Sequence, residues 1–452
     1  MNINPKLIKK SEAHYIVDPQ YTGGKVVDIF ASEKIVSELT EKTIQQAINT
    51  ALIEGVVKIN LNADAHEGYG CPIGSVVATK DIVMLGPVGY DICCSVSYLQ
   101  TDLPPQELKE KQARRKLINK ICEYIPYGTG KNRAPKQIKI SKQDYINILN
   151  FGASDVELVE KLGIDTAWLE DLERKSLDAD ASILSDAVIK RGEGQLGSLG
   201  SGNHFLEGQK VKIIDKDLCQ KWGITEGTGF LTHCGSRGLG HQIATEYFKK
   251  LWDYFQANNI SIPDRELVYA WTDSEPGRDY ILSMGCAANF AIINHLILNT
   301  AIKSALEELY PRVNSHFVYM ISHNLMQEEN NLLIHRKGAT RAFPEHPVII
   351  PGSSISGSSI MVGLESADKN FYTVPHGAGR AMGRNEAKRR LSQQYVDKKM
   401  EEADVLFNKR FYPVDEFTEA YKDYDEVISS VVKAGLAKEV ARMKPMFVIK
   451  GD

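Results

Sequence analysis

The chain reads as an α+β protein, and three observations carry that reading. Short apolar runs alternate with glycine-rich turns over residues 55 to 100, a pattern of strands joined by tight connections. A charged, helically periodic stretch follows from about Leu103 to Lys190, and strand-like runs then resume between two long helical patterns. Glycine-flanked polar strings fall on both sides of the helical stretch. We therefore read residues 1–452 as one domain and 103–190 as a mainly helical insertion within it.

The first strands are predicted at Val56–Ile59, Ser75–Ala78, Ile82–Leu85 and Ser95–Tyr98. Pro104-Pro105 opens the insertion, whose periodic pattern starts at Lys109–Lys120. Strands return at His204–Ile214 and Gly229–His233, followed by an amphipathic helix over Gly240–Phe255 and a longer one over Arg278–Tyr310. Phe317–Ile321, Asn331–Ile334 and Val348–Ile350 are strand-like. The tail is expected to be helical at Tyr424–Ala434 and again at 437–442, before a terminal strand at Met446–Lys450.

Composition bounds the function classes. The 452 residues, 43% hydrophobic and 25% charged, describe a globular chain able to bury a core. With 54 basic against 58 acidic residues the net charge is −4, so a polyanion must be met by a local patch. Lys388-Arg389-Arg390 and the group Arg336, Lys337 and Arg341 are the candidates. No apolar run of about eighteen residues appears, and Met1-Asn-Ile-Asn-Pro-Lys lacks a signal-peptide core, so a cytoplasmic protein with no membrane association is expected. Seven cysteines without regular spacing fit a reducing compartment.

Chemistry concentrates in a few strings. Pro375-His376-Gly377-Ala378-Gly379-Arg380, with Arg384 beyond it, sets one histidine in a glycine-rich turn beside two guanidinium groups, a combination suited to covalent chemistry on phosphate. Gly89-Tyr90-Asp91-Ile92-Cys93-Cys94, Gly202-Asn203-His204-Phe205, Thr232-His233-Cys234 and Ser322-His323-Asn324 place carboxylate, thiolate and imidazole at strand ends. These are ordinary ligands for a divalent transition metal. Each string has a plain alternative: a hydrogen-bonded strand-end histidine, or a buried cysteine acting as a small apolar residue.

Taken in order, these strings resemble the RtcB family of RNA-splicing ligases. The carrying residues are Asp64-Ala65-His66-Glu67-Gly68-Tyr69-Gly70, Val88-Gly89-Tyr90-Asp91 with Cys94, Leu196 to Glu207, His233 with Gly235-Ser236-Arg237-Gly238, His323-Asn324, His335 to Arg341, Pro351-Gly352-Ser353, His376 to Arg380 and Lys450-Gly451. The resemblance implies a single RtcB-like domain whose central sheets line a metal-containing cleft. It also implies joining of RNA 2′,3′-cyclic phosphate or 3′-phosphate ends to 5′-hydroxyl ends with GTP and manganese, in splicing or repair, helped in some members by an archease-type activator.

On the matched positions, His376 would attack the α-phosphate of GTP to give a histidine–GMP intermediate, and GMP would then pass to the RNA 3′-phosphate. Two manganese ions would be held by Asp91, Cys94, His204, His233 and His323, with Cys94 bridging. Phe205, Glu207, Ser353, Tyr421 and Lys450 would contact the nucleotide, and Asn203 would orient a phosphate. Arg237, Arg380 and Arg384 would grip phosphate of GTP or RNA, and Asp64 would serve the RNA-end steps. The alternative is an RNA-end phosphoesterase or cyclic phosphodiesterase in which the same metals activate water.

Several positions depart from the family pattern: serine at 95 and 97, Cys93, His295 after Asn294, Pro375 before the histidine, and Ser354-Ile355 after Ser353. The departures at 97 and 295 are expected to weaken an RNA-facing surface. Those after Ser353 touch a loop that borders the nucleotide in the family.

Overall fold

The computed structural model describes residues 5–128 and 140–451; residues 129–139, inside the predicted insertion, lie outside that range. Two mixed sheets organise the chain. The first has seven strands in the spatial order Leu7–Ser11, His14–Val17, Val26–Phe30, Val56–His66, Ile73–Thr79, Leu332–Lys337 and Asn324–Glu329. Its one parallel pair, Val26–Phe30 with Val56–His66, needs a crossover, and the helix Glu41–Ala51 supplies it. That helix buries Ile44, Ala47, Ile48 and Ala51, one apolar stripe at helical spacing, against the sheet.

The second sheet runs Ser315–Ser322, Ser95–Thr101, Thr228–Cys234, Phe205–Ile213, Ala437–Ile449, Ser358–Gly363 and Pro347–Pro351, with Leu406–Phe407 added in parallel on Ala437–Ile449. One face is covered by the long helix Glu275–Leu309 and by the helices Lys111–Tyr124, Lys142–Phe151 and Arg237–Ala257 packed around it. Ser274 caps the long helix by accepting from the Gly277 N–H, and Pro276 occupies its first turn, where a missing N–H costs nothing. By length and composition this helix could cross a membrane, but 89% of its apolar window is buried inside the protein. It is the core helix of the fold.

The described part of the 103–190 stretch is helical, with Val156–Lys161 and Asp186–Glu193 following the two helices already named. The tail differs from expectation. Residues 437–442 are not a helix: they open the strand Ala437–Ile449, the longest among the described residues. Ala437-Lys-Glu-Val-Ala-Arg has good intrinsic helix formers, but the strand pairs on both sides, with Ser358–Gly363 and with Phe205–Ile213. Sheet pairing overrides local propensity there. Gly435, at φ +67, ends the preceding helix Tyr424–Lys433.

The basic group at 336–341 also differs from expectation. Arg336 and Lys337 are 2% and 6% exposed. Arg336 pairs with Glu329 at 2.8 Å and donates to the Phe371 carbonyl, while Lys337 donates to the carbonyls of Tyr69 and Cys71. These cations are fold-internal. Lys388, Arg389 and Arg390, on the helix Arg384–Arg390, are exposed.

Candidate active site

Antiparallel register assembles the site. Across the second sheet Ser322 faces Ser95, Ser95 faces Cys234, and His233 faces Phe205. His323, Cys94, His233 and His204 therefore stand at one edge of four neighbouring strands, although up to 229 positions separate them in the chain, from 94 to 323. His323 is also the single residue between Ser315–Ser322 of one sheet and Asn324–Glu329 of the other, so the site lies where the sheets meet. Asp91 joins through a tight turn in which the Cys94 N–H donates to the Asp91 carbonyl, with Cys93 at φ +55. The Asn324 side chain closes that turn by donating to the same carbonyl.

The donor atoms converge. Cys94 Sγ lies 3.1 Å from His233 Nε2 and 3.4 Å from His204 Nε2; His233 and His323 bring their Nε2 atoms within 3.3 Å; His204 Nε2 is 2.9 Å from Asp91 Oδ2. Two overlapping groups result, Cys94, His233 and His323 on one side and Asp91, Cys94 and His204 on the other, with Cys94 common to both. Burial holds His233 and His323 well below the usual histidine range, hence neutral. Two neutral imidazole nitrogens facing each other need either a shared proton or a cation between them, and a neighbouring thiol favours the cation. Burial opposes charge on Asp91 and His204 as well, yet each offsets that cost for the other: Asp91 is held down at about 2 and His204 up at about 9. The set fits divalent metal, with the sulfur placed to be shared.

His376 follows the strand Thr373–Pro375, which pairs with Ala339–Arg341; the Ala339 N–H in turn donates to the His323 carbonyl. The ring of His376 thereby lies 5.0 Å from that of His323. Asp64, wholly buried, accepts from both the His376 backbone N–H at 3.0 Å and Nδ1 at 2.7 Å. With Nδ1–H held by a carboxylate, Nε2 carries the free lone pair. Gly379, at φ +71, is required for a reason internal to the fold, since a Cβ there would lie 2.1 Å from the Asp64 carbonyl oxygen.

One cavity of about 440 Å³ is lined by Asp91, His233, His323 and His376 and extends to Asn203, Phe205, Glu207, Ser353, Arg380, Arg384, Tyr421 and Lys450. Burial pushes the Glu207 carboxyl up to about 8, against the opposing pull of Gln209 and Lys450. The Ser353 hydroxyl is engaged with Ser356 and Thr418. Arg237 points its guanidinium at His204 Nδ1, 3.1 Å away. Arg380 and Arg384 are tied to acidic partners: Arg380 donates to the Asp415 carbonyl and Glu416, and Arg384 pairs with Asp415 and Glu416.

Glu416 also accepts from Tyr421 and Lys450, both at 2.9 Å, which makes it the charge hub of the cavity. Sequence reasoning missed Glu416, and Tyr412 beside it. No spacing flags an Asp-Glu pair within an irregular stretch.

Over residues 46–451 the chain matches the family model described as tRNA-splicing ligase RtcB. The chain belongs to the RtcB family. Relatives named tRNA-splicing ligase RtcB include one from Nanoarchaeum equitans, 36% identical over 94% of this chain and 95% of its own length, and one from Archaeoglobus fulgidus, 32% identical over the whole of both. A protein of Entamoeba dispar named RNA-splicing ligase RtcB homolog 1 is 34% identical over 93% of this chain and 84% of its own.

Two of the positions expected to depart from the family pattern, Ser97 and His295, meet in space. Neither lies on a cleft surface, contrary to the expectation for positions 97 and 295. Ser97 and His295 are both fully buried, with Ser97 Oγ 2.9 Å from His295 Nδ1. Asn299 donates to Ser97 Oγ, so the serine proton goes to Nδ1, and Nε2–H then donates to the Cys234 carbonyl at 3.2 Å. Ser97 and His295 together brace the turn after His233. Ser95 is likewise buried, donating to the Cys93 carbonyl, and Pro375 sits inside its strand pair.

Proposed function

We propose that this protein is a GTP- and manganese-dependent RNA ligase that joins 2′,3′-cyclic phosphate or 3′-phosphate ends to 5′-hydroxyl ends. The reading rests on one observation above others: His376, held at Nδ1 by a buried carboxylate, stands beside buried imidazole, thiol and carboxylate groups that could hold metal, with one sulfur common to both sets. In the first step the His376 Nε2 lone pair attacks the α-phosphorus of GTP; a P–N bond forms, the α–β bridging P–O bond breaks, and pyrophosphate leaves. Asp64 keeps the Nδ1 proton and stabilises the positive ring as the bond forms.

The metals, held by Asp91, Cys94, His204, His233 and His323, would neutralise phosphate oxygens. Glu207 as carboxylate accepts the N1–H and N2–H of guanine, with Lys450 and Phe205 beside the base. A 3′-phosphate oxygen of RNA then displaces His376 from the GMP phosphorus. Finally the 5′-hydroxyl attacks the RNA phosphorus, forming the phosphodiester and releasing GMP. A cyclic phosphate is first opened by water.

Incubation with GTP labelled at the α-phosphate, with manganese, tests this reading. Label should be retained in an acid-labile, base-stable bond, and His376→Ala should retain none. RNA-end hydrolysis without retained label would instead establish the phosphoesterase alternative. Running the assay with all four nucleotides tests Glu207 in its guanine role.

A further inference from the structure

The cavity has an aromatic wall that the nucleotide reading leaves unused. It is built by His66, Tyr69, Ile73, Val88, Tyr90 and Phe248, separate from the group around Phe205 and Tyr421. Tyr90 stacks on Phe248 with centroids 4.8 Å apart and is fixed at its hydroxyl, which donates to Glu266 at 3.0 Å. Tyr69 meets Tyr90 edge-on at 6.1 Å, yet 71% of its surface is exposed.

The loop that presents this ring is pinned. Gln46 bonds both the N–H and the carbonyl of Gly68. The buried Lys337 ammonium donates to the carbonyls of Tyr69 and Cys71 at 2.8 and 2.9 Å, and the Cys71 N–H donates to the Tyr69 carbonyl. Gly70, at φ +65, allows the close approach to Glu266. A rigid backbone thus holds a large, exposed ring at the cavity wall, against Tyr90 of the Asp91 turn and five residues after Asp64, the partner of His376. Lys337 and Glu266 spend their charge on the loop and on Tyr90, so what the wall offers a ligand is ring surface.

We propose that Tyr69 is a stacking platform for the terminal nucleobase of an RNA end brought to His376. Aromatic stacking suits this task because every base has a π-face and the enzyme must accept ends of varied sequence. The proposal rests on the RNA-ligase reading for the identity of the ligand, and its test is kept separate from guanylylation. Binding of short fluorescent oligoribonucleotides is measured by anisotropy, one set ending in a 3′-phosphate and one in a 5′-hydroxyl, each with a normal or an abasic terminal residue.

Tyr69→Ala should weaken binding of one set by about ten-fold. Tyr69→Phe and Tyr69→Trp should keep it, and the set affected identifies which end stacks. The abasic end should cost the wild type a similar factor and cost Tyr69→Ala nothing further. Equal affinity of wild type and Tyr69→Ala for both sets would overturn the proposal, as would an undiminished abasic penalty in Tyr69→Ala. Absence of label from GTP in the wild type would instead count against the proposed function and leaves this comparison decisive for the ring.

Discussion

At the scale of single residues, the site depends on a few atoms whose proton positions are fixed by neighbours. Asp64 sets the tautomer of His376, so Asp64→Asn should lower the rate of guanylylation by about 100-fold while binding of GTP persists. Rapid-quench measurement of label retained on the protein checks it. Cys94 belongs to both groups of residues that could hold a metal and His323 to one. Cys94→Ala should therefore remove more manganese than His323→Ala, with unchanged circular dichroism in both; elemental analysis of the purified variants would show otherwise if the sulfur is not shared. The sequence motifs exposed these ligands readily, because glycine and strand-end context marked them. Glu416, which ties Arg380, Arg384, Tyr421 and Lys450 together, carried no such mark.

At the scale of elements, the long helix Glu275–Leu309 acts on the site from behind. Asn294 accepts the N–H groups of Gly197 and Ser198 and lies within donating distance of the Ser198 and Gly235 carbonyls. With His295 bonded to Cys234, one helical turn braces the loops that carry His204 and His233. Asn294→Ala leaves two buried N–H groups without acceptors and should cost about 3 kcal/mol, at about 1–3 kcal/mol for each unsatisfied group. Urea unfolding gives the figure directly. Metal affinity should fall with stability, and a variant equal to wild type in both would show that the brace is redundant. Nothing in the sequence links the serine at 97 to the histidine at 295. Packing makes them hydrogen-bonded partners in the core.

At the scale of the whole molecule, burying Glu207 in the cavity has a pH-dependent cost. Glu207 has a folded pKa of about 8 against an ordinary 4.5, so the folded state binds an additional proton between those values. Stability from this group is present below about 4.5 and falls as pH rises through about 8. Glu207→Gln removes that dependence. The melting temperature of Glu207→Gln relative to wild type should therefore be more favourable at pH 8.5 than at pH 5.5, measured without nucleotide. An equal difference at both values would show that the carboxyl is not desolvated.

The sequence by itself determined the kinds of element and the inventory of reactive groups. Hydrophobic periodicity and glycine turns are local signals, and they placed the long helix and most strands after residue 55; motif order was enough for the family resemblance. Tertiary structure decided what those groups do to one another. Strand register, set by pairings across as many as 227 positions from Ser95 to Ser322, brings Cys94, His204, His233 and His323 to one sheet edge. The same non-local pairing turned 437–442 from apparent helix into strand, buried Arg336 and Lys337, and left Tyr69 exposed on a fixed loop. Hydrogen bonding and burial between distant segments leave no periodic trace in a single sequence, whereas propensity and patterning do.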